Sequence, residues 1–247
     1  MRLSLPPKRR LGLGFRSGRF HETFAAVLKK PKDSRVSQHR RLEGKILIAT
    51  HNAGKLAEMR ELLEPYGITA VSAGELNLGE PEETGSTFMA NAEIKARAGA
   101  EASGLPSFAD DSGICVAGLD GAPGIYSARW AIDKKFDAAM ERIDTELLAK
   151  GVTRDKSRKA WFVSALCIAW PDGHVEHFEG RIDGDLVWPP RGIAGFGYDP
   201  MFLPKGYTRT FGEMTSDEKH GLPADGSRAL SHRARAFQDL AKACLTR

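Results

Sequence analysis

Cysteine is scarce in this chain. Three thiols, Cys115, Cys167 and Cys244, are scattered over 247 residues. Their number is odd and their spacing is not that of a metal-ligand motif. This argues against a disulfide framework or a zinc site and favours a reducing compartment, the cytoplasm. Long apolar runs are missing too. The longest, Phe162 to Trp170, is interrupted by Ser164 and reads as a buried strand, because a membrane helix needs roughly 20 apolar residues. No membrane association is expected. Acid is rare only at the start. Residues 1–44 hold 12 Lys/Arg against 3 Asp/Glu, net +9, and the remainder holds 24 against 29, net −5. The basic balance belongs to an arm, and a mildly acidic body does not suit nucleic acid.

That arm carries Pro6-Pro7, the clusters Lys8-Arg9-Arg10 and Lys29-Lys30, and little periodicity. It reads as disordered or loosely attached, and three explanations stay open: a solvated tail, a targeting peptide or an upstream start codon. Residues 45–247 form the body. With 41% hydrophobic residues, the chain can bury one sizeable core.

Apolar patterning outlines the body. Ile46 to Ala49 is a buried strand, Thr50 to Gly54 a loop, and Lys55 to Leu63 a helix closed by Pro65 and Gly67. Ile68 to Val71 is a second strand. An acidic loop leads to a helix from Thr87 to Ala102. Short strands, Ser107 to Ala109 and Ile114 to Ala117, flank a double acid, and Asp133 caps a helix ending near Gly151. Trp161 to Trp170 and His174 to Ile182 form a hairpin through Pro171-Asp172-Gly173. A Gly-rich loop spans Gly192 to Gly197, and a last helix spans His232 to Leu245. Strand–helix units followed by a hairpin predict a mixed α/β fold with a cleft between the two parts.

Five segments suit chemistry, most of them beside an ordinary structural use. In Ala109-Asp110-Asp111-Ser112-Gly113, acids on a tight turn at a strand end can hold a hard metal ion; the same residues also make plain turns. Thr50-x-Asn52-x-x-Lys55 opens a helix, where free N–H groups suit phosphate, although a capped helix with a surface lysine fits as well. Glu80-Pro81-Glu82-Glu83 precedes the long helix; its acids can complete a magnesium cage or simply favour the helix dipole. Asn91 and Lys95 share a face of that helix and can meet phosphate or water. Phe196 sits between Gly195 and Gly197, either exposed for stacking on a purine or packed in the core. Ser231-His232-Arg233 opens the last helix. Cationic groups there oppose the dipole, and the arginine fork matches a 6-oxopurine edge.

Taken in order, these stretches resemble the inosine triphosphate pyrophosphatase family. The matching residues are Ala49 to Lys55, Glu82-Glu83-Thr84-Gly85, Ala109 to Gly113, Gly121 to Arg129, Phe196 to Pro200 and Ser231 to Arg233. The resemblance implies a mixed central sheet with flanking helices, two lobes around a deep nucleotide cleft, a homodimer, and Mg²⁺-dependent hydrolysis of ITP, dITP or XTP to monophosphate and pyrophosphate. It further implies that Thr50, His51, Asn52, Ala53, Gly54 and Lys55 hold the triphosphate, and that Asp111 is both general base and metal ligand. Ser112 would contact substrate. Phe196, Gly197, Tyr198 and Asp199 would hold base and sugar, and Lys219, His232 and Arg233 would read the base. A further metal ligand lies in the pair Glu82 and Glu83. Two departures stand out: the 44-residue arm, and Gly221 to Arg228, which looks like an insertion after Lys219. A nucleic-acid binder using the arm, a nucleotide sensor without turnover, and an enzyme for damaged pyrimidine nucleotides are the rival readings.

Overall fold

The computed structural model describes residues 39–245. Of the basic arm, residues 1–38 lie outside that range. The compact unit begins at His39, because residues 39–44 are seated on the body. Leu42 is buried and its N–H donates to the Cys244 carbonyl at 2.8 Å, and Arg40 pairs with Asp172 at 2.8 Å.

Among the described residues the strands are β1 (Lys45–Ile48), β2 (Thr69–Ser72), β3 (Ser107–Val116), β4 (Lys159–Ala169), β5 (Val175–Leu186) and β6 (Phe202–Pro204). The helices are α1 (Ala53–Leu63), α2 (Phe88–Ser103), α3 (Ser127–Trp130), α4 (Phe136–Ala149), α5 (Ser216–His220) and α6 (His232–Cys244). One mixed sheet runs β2-β1-β3-β4-β5-β6. β1 pairs in parallel with β2 and β3, and the remaining pairings are antiparallel. This is the α/β architecture that the patterning predicts.

Two local expectations are corrected. The double acid is not on a turn between two short strands. β3 runs unbroken through it, with Asp110 opposite Leu166 and Asp111 opposite Ala165 on β4. Full pairing with β4 satisfies the backbone, so the polar side chains do not end the strand. Nor does Asp133 cap a helix. It sits at φ 53° in a preceding single turn, and α4 starts after Lys135 with no side-chain cap.

Burial along β3 explains why the acids lie where they do. Phe108 belongs to an apolar cluster with Met59, Leu63, Phe237 and Leu240 under α1 and α6. Ile114 and Val116 belong to a second, with Met140, Ile143 and Phe202 against α4. Asp110, Asp111 and Ser112 fall between them. A third cluster is made of small residues (Ala92, Ala96, Ala100, Ala109, Ala165) under α2. It lets this helix approach closely: a Cβ on Gly99 would lie 2.4 Å from Ser107 Oγ. Gly113 is constrained in the same way, since a Cβ there would meet Ser127 Oγ at 2.4 Å and the Gly124 carbonyl at 2.6 Å. The segment leading into α3 therefore lies directly on β3.

Candidate active site

A cavity of about 620 Å³ opens over the centre of β3. Its wall gathers Thr50, His51, Asn52, Ala53, Gly54 and Lys55, the pair Asp110-Asp111, Ser112, Phe196 to Asp199, Lys219, His232 and Arg233. Glu83 is on this wall; Glu82 is exposed and off it. The difference has a cause. Glu83 is drawn inward by Lys95 Nζ at 2.6 Å and Arg129 at 3.5 Å, whereas among the described residues no cation pairs with Glu82.

The β1–α1 junction forms one side. Asn52 caps α1, its side-chain oxygen accepting from the Lys55 N–H at 3.1 Å, and Thr50 Oγ1 accepts from the Asn52 N–H at 3.1 Å. The segment is thus both a capped helix and a helix start in the wall of a cleft. Lys55 Nζ lies 2.9 Å from Asp110 Oδ2.

Adjacent acids on a strand face opposite sides. Asp110 meets α6: Arg233 Nη2 donates to it at 3.1 Å and Ser164 Oγ at 2.6 Å. Burial alone raises the pKa of such a carboxyl. Here Arg233 and Lys55 outweigh burial and hold it well below the usual range, so Asp110 stays ionised. Asp111 meets α2: Asn91 Nδ2 and Lys95 Nζ each lie 3.3 Å from its oxygens. For Asp111 burial dominates and pushes the pKa up, with Lys95 and Lys55 opposing. The two acids therefore differ in kind: one is locked in an ion-pair network, the other is a more basic carboxylate on the cavity wall.

The far end is aromatic and cationic. Gly195 and Gly197 hold φ of 74° and 71°, conformations open to glycine, and set Phe196 between them. Phe196 N–H donates to Asp199 Oδ2 at 3.0 Å, which also accepts from Lys219 Nζ at 2.6 Å. Lys219 Nζ and the Arg233 guanidinium lie 5.8 and 5.9 Å from the Phe196 ring centre. His232 stacks on Phe162 at 4.7 Å with an 11° tilt. Burial and then Arg233 keep it well below its ordinary pKa, so it is neutral at pH 7. Tyr198 lines the wall, but its hydroxyl donates to the Ser127 carbonyl at 2.8 Å, which makes it a support for α3. Arg233 donates to Glu58, Asp110 and Ser112. Two of its five N–H groups remain. Arg233 Nε and His232 Nδ1 are buried without a hydrogen bond among the described residues, so both have capacity for a polar ligand.

The Ham1 family model matches residues 46–243, a span that takes in every one of these segments.

The chain belongs to the Ham1 family.

Its relatives agree. A dITP/XTP pyrophosphatase from Bradyrhizobium sp. (strain BTAi1) is 71% identical, covering 85% of this chain and 98% of its own. One from Rhodopseudomonas palustris is 68% identical over 84% of this chain and 99% of its own. Among solved structures, a HAM1 protein from Coxiella burnetii superposes with a TM-score of 0.71 at 35% identity, covering 81% of this chain and 98% of that one. The Staphylococcus aureus Ham1 protein gives 0.68 at 33% identity, covering 80% and 96%.

Several residues in and around this Ham1 cleft are given no role by the family resemblance. Glu58 is buried on α1, receives Arg233, and has His220 Nε2 at 2.8 Å. Burial raises its pKa, but Arg233 and His220 overcome that and lower it to about 2. The available signal was position: Glu58 falls on the face of α1 that buries Met59, Leu62 and Leu63, where a glutamate requires a partner. Lys95 and Asn91 were visible as a helix-face pair, but their buried contacts to Asp111 were not. His220 and Phe162 carry no local signal.

Proposed function

We propose that this chain hydrolyses dITP, XTP and ITP to the monophosphate and pyrophosphate, which keeps deaminated purines out of DNA and RNA. The observation that carries this reading is one cavity holding a basic carboxylate, Asp111, between a helix-start cradle with Lys55 at one side and the Phe196, Lys219 and Arg233 group at the other. The relatives' names support the same substrate class.

In the proposed mechanism, Asp111 takes a proton from the water whose oxygen bonds to the α-phosphorus. The bond from that phosphorus to the bridging oxygen breaks, and pyrophosphate leaves. A carboxylate whose pKa is raised by burial is a better base than an exposed one. Lys55 and the N–H groups that open α1 stabilise the leaving phosphates. Lys95, between Glu83 and Asp111, fixes the orientation of both carboxylates.

The donor set suits Mg²⁺. Asp111 and Glu83 are hard oxygen ligands that already converge on one cation, the Lys95 ammonium, and magnesium commonly uses one or two carboxylates plus phosphate and water. Asp111 and Glu83 would hold the ion, which when bound supplies charge neutralisation to the phosphate oxygens.

At the base end, Phe196 offers a stacking face. The unengaged N–H groups of Arg233 match a 6-oxo acceptor, while adenine's 6-amino group leaves them unpaired and is rejected. A homodimer and a cytoplasmic location complete the reading. Exposed Ile132 and Ile193 are apolar surface that pairing can cover, and buried free thiols suit reducing conditions. Among the described residues no helix is long and apolar enough to cross a membrane. Hydrolysis of dITP in heavy-oxygen water tests the chemistry. The label is expected in the monophosphate; label in pyrophosphate, or release of dIDP, contradicts attack at the α-phosphorus.

A further inference from the structure

Away from the cleft, three segments that are remote in sequence bring together an imidazole, a carboxylate and a thiol. His39 precedes β1, Glu176 lies near the start of β5, and Cys244 ends α6. His39 Nδ1 is 2.7 Å from Glu176 Oε2, and the ligand atoms of all three residues lie within 4.8 Å of one another. The other oxygen of Glu176 accepts from the Arg40 N–H at 3.0 Å and lies 2.9 Å from His174 Nε2. Cys244 is free and buried, while His39 is half exposed. One donor is thus fixed in the core, and another lies open to solvent as an entry path.

We propose that His39, Glu176 and Cys244 form a binding site for a zinc-class divalent ion that ties the first described residues to the end of α6. The donor chemistry selects the metal. Thiolate and imidazole favour zinc over magnesium, which prefers oxygen alone. Burial pushes the Cys244 thiol up to about 12, so a bound ion must displace its proton; the resulting thiolate and the Glu176 carboxylate then balance the double positive charge. Water can complete four-coordination. Donors around tetrahedral zinc stand about 3.3 Å apart, from Zn–N and Zn–O lengths of about 2.0 Å. The His39–Glu176 pair must therefore open from its present 2.7 Å, and the exposed side of His39 leaves room for that. The scattered cysteines gave no sign of this site, because spacing along the chain reveals only motifs whose ligands are local.

The backbone is already joined here: Leu42 N–H donates to the Cys244 carbonyl at 2.8 Å. A bound ion would fasten the same junction through side chains, and its binding free energy would add to stability. None of the three residues lies on the cleft wall, so turnover with Mg²⁺ does not depend on the site.

The test uses the full chain, stripped with chelator, loaded with one equivalent of Zn²⁺ and desalted. Retained zinc and thermal midpoint are measured for wild type, Cys244→Ser and His39→Ala. The wild type is expected to retain about one zinc per chain and to melt several degrees higher with it, and each variant to lose both effects. Because His39 is on the surface, that variant stays informative even if Cys244→Ser folds poorly. Co²⁺ in place of Zn²⁺ should give a thiolate charge-transfer band that is absent in Cys244→Ser. Equal zinc retention in all three proteins, or no thiolate band in wild type, overturns the proposal. Hydrolysis of dITP, followed in parallel, stays unchanged in either case.

Discussion

Asp110 and Asp111 are neighbours on β3 whose carboxylates serve opposite faces of the sheet. The first is held by Arg233 at 3.1 Å and Lys55 at 2.9 Å, the second by Asn91 and Lys95 at 3.3 Å. One is buried as half of an ion pair. The other carries the proposed chemistry.

Exchange of Asp111 for Asn separates those roles kinetically. Removing a general base costs about 10²–10⁴-fold in rate, so kcat for dITP should fall by that amount while the thermal midpoint holds or rises, since burial disfavours the Asp111 charge.

Asp110→Asn should act on stability first. It leaves Arg233 buried with one fewer anion, and breaking such a pair costs roughly 3–5 kcal/mol. Denaturant unfolding is expected to show a loss of this order. An unchanged midpoint would remove Asp110 from the ion-pair network.

Acid should loosen the same network through Glu58. Its folded pKa of about 2 lies below the ordinary 4.5, so the native state holds fewer protons than the unfolded chain between those values. The stabilisation is fully present above about pH 4.5 and is lost as pH falls toward 2. Its size is on the order of 3 kcal/mol from the difference in pKa. Glu58→Gln should flatten this part of the stability–pH curve, measured by denaturant unfolding at each pH.

These predictions also show what the sequence could convey. Ile46 to Ala49, the spacing of Leu56, Met59, Leu62 and Leu63, and the turn Pro171-Asp172-Gly173 were readable because strand period, helix period and turn chemistry are local. The unbroken course of β3 was not. Asp-Asp-Ser-Gly has turn composition, and only pairing with β4 from Ala160 to Ala169 holds it extended. The cleft itself was partly legible, in the Thr50 to Lys55 cap and in the glycines around Phe196. The pairings of Glu58 and His220 carry no local signal, because their partner, Arg233 or Glu58, is supplied by folding and not by spacing.

Phe196→Ala should weaken substrate binding more than chemistry. Loss of a stacking face costs about 1–3 kcal/mol, so KM for dITP is expected to rise by roughly 5- to 150-fold with kcat within a few-fold of wild type. A fall confined to kcat would place the ring away from the base.

The most direct measurement is kcat/KM for pyrophosphate release from dITP and dATP, side by side with Mg²⁺. A site whose unengaged Arg233 donors await a 6-oxo acceptor should favour dITP by at least about 100-fold. Equal values for the two nucleotides would contradict the account.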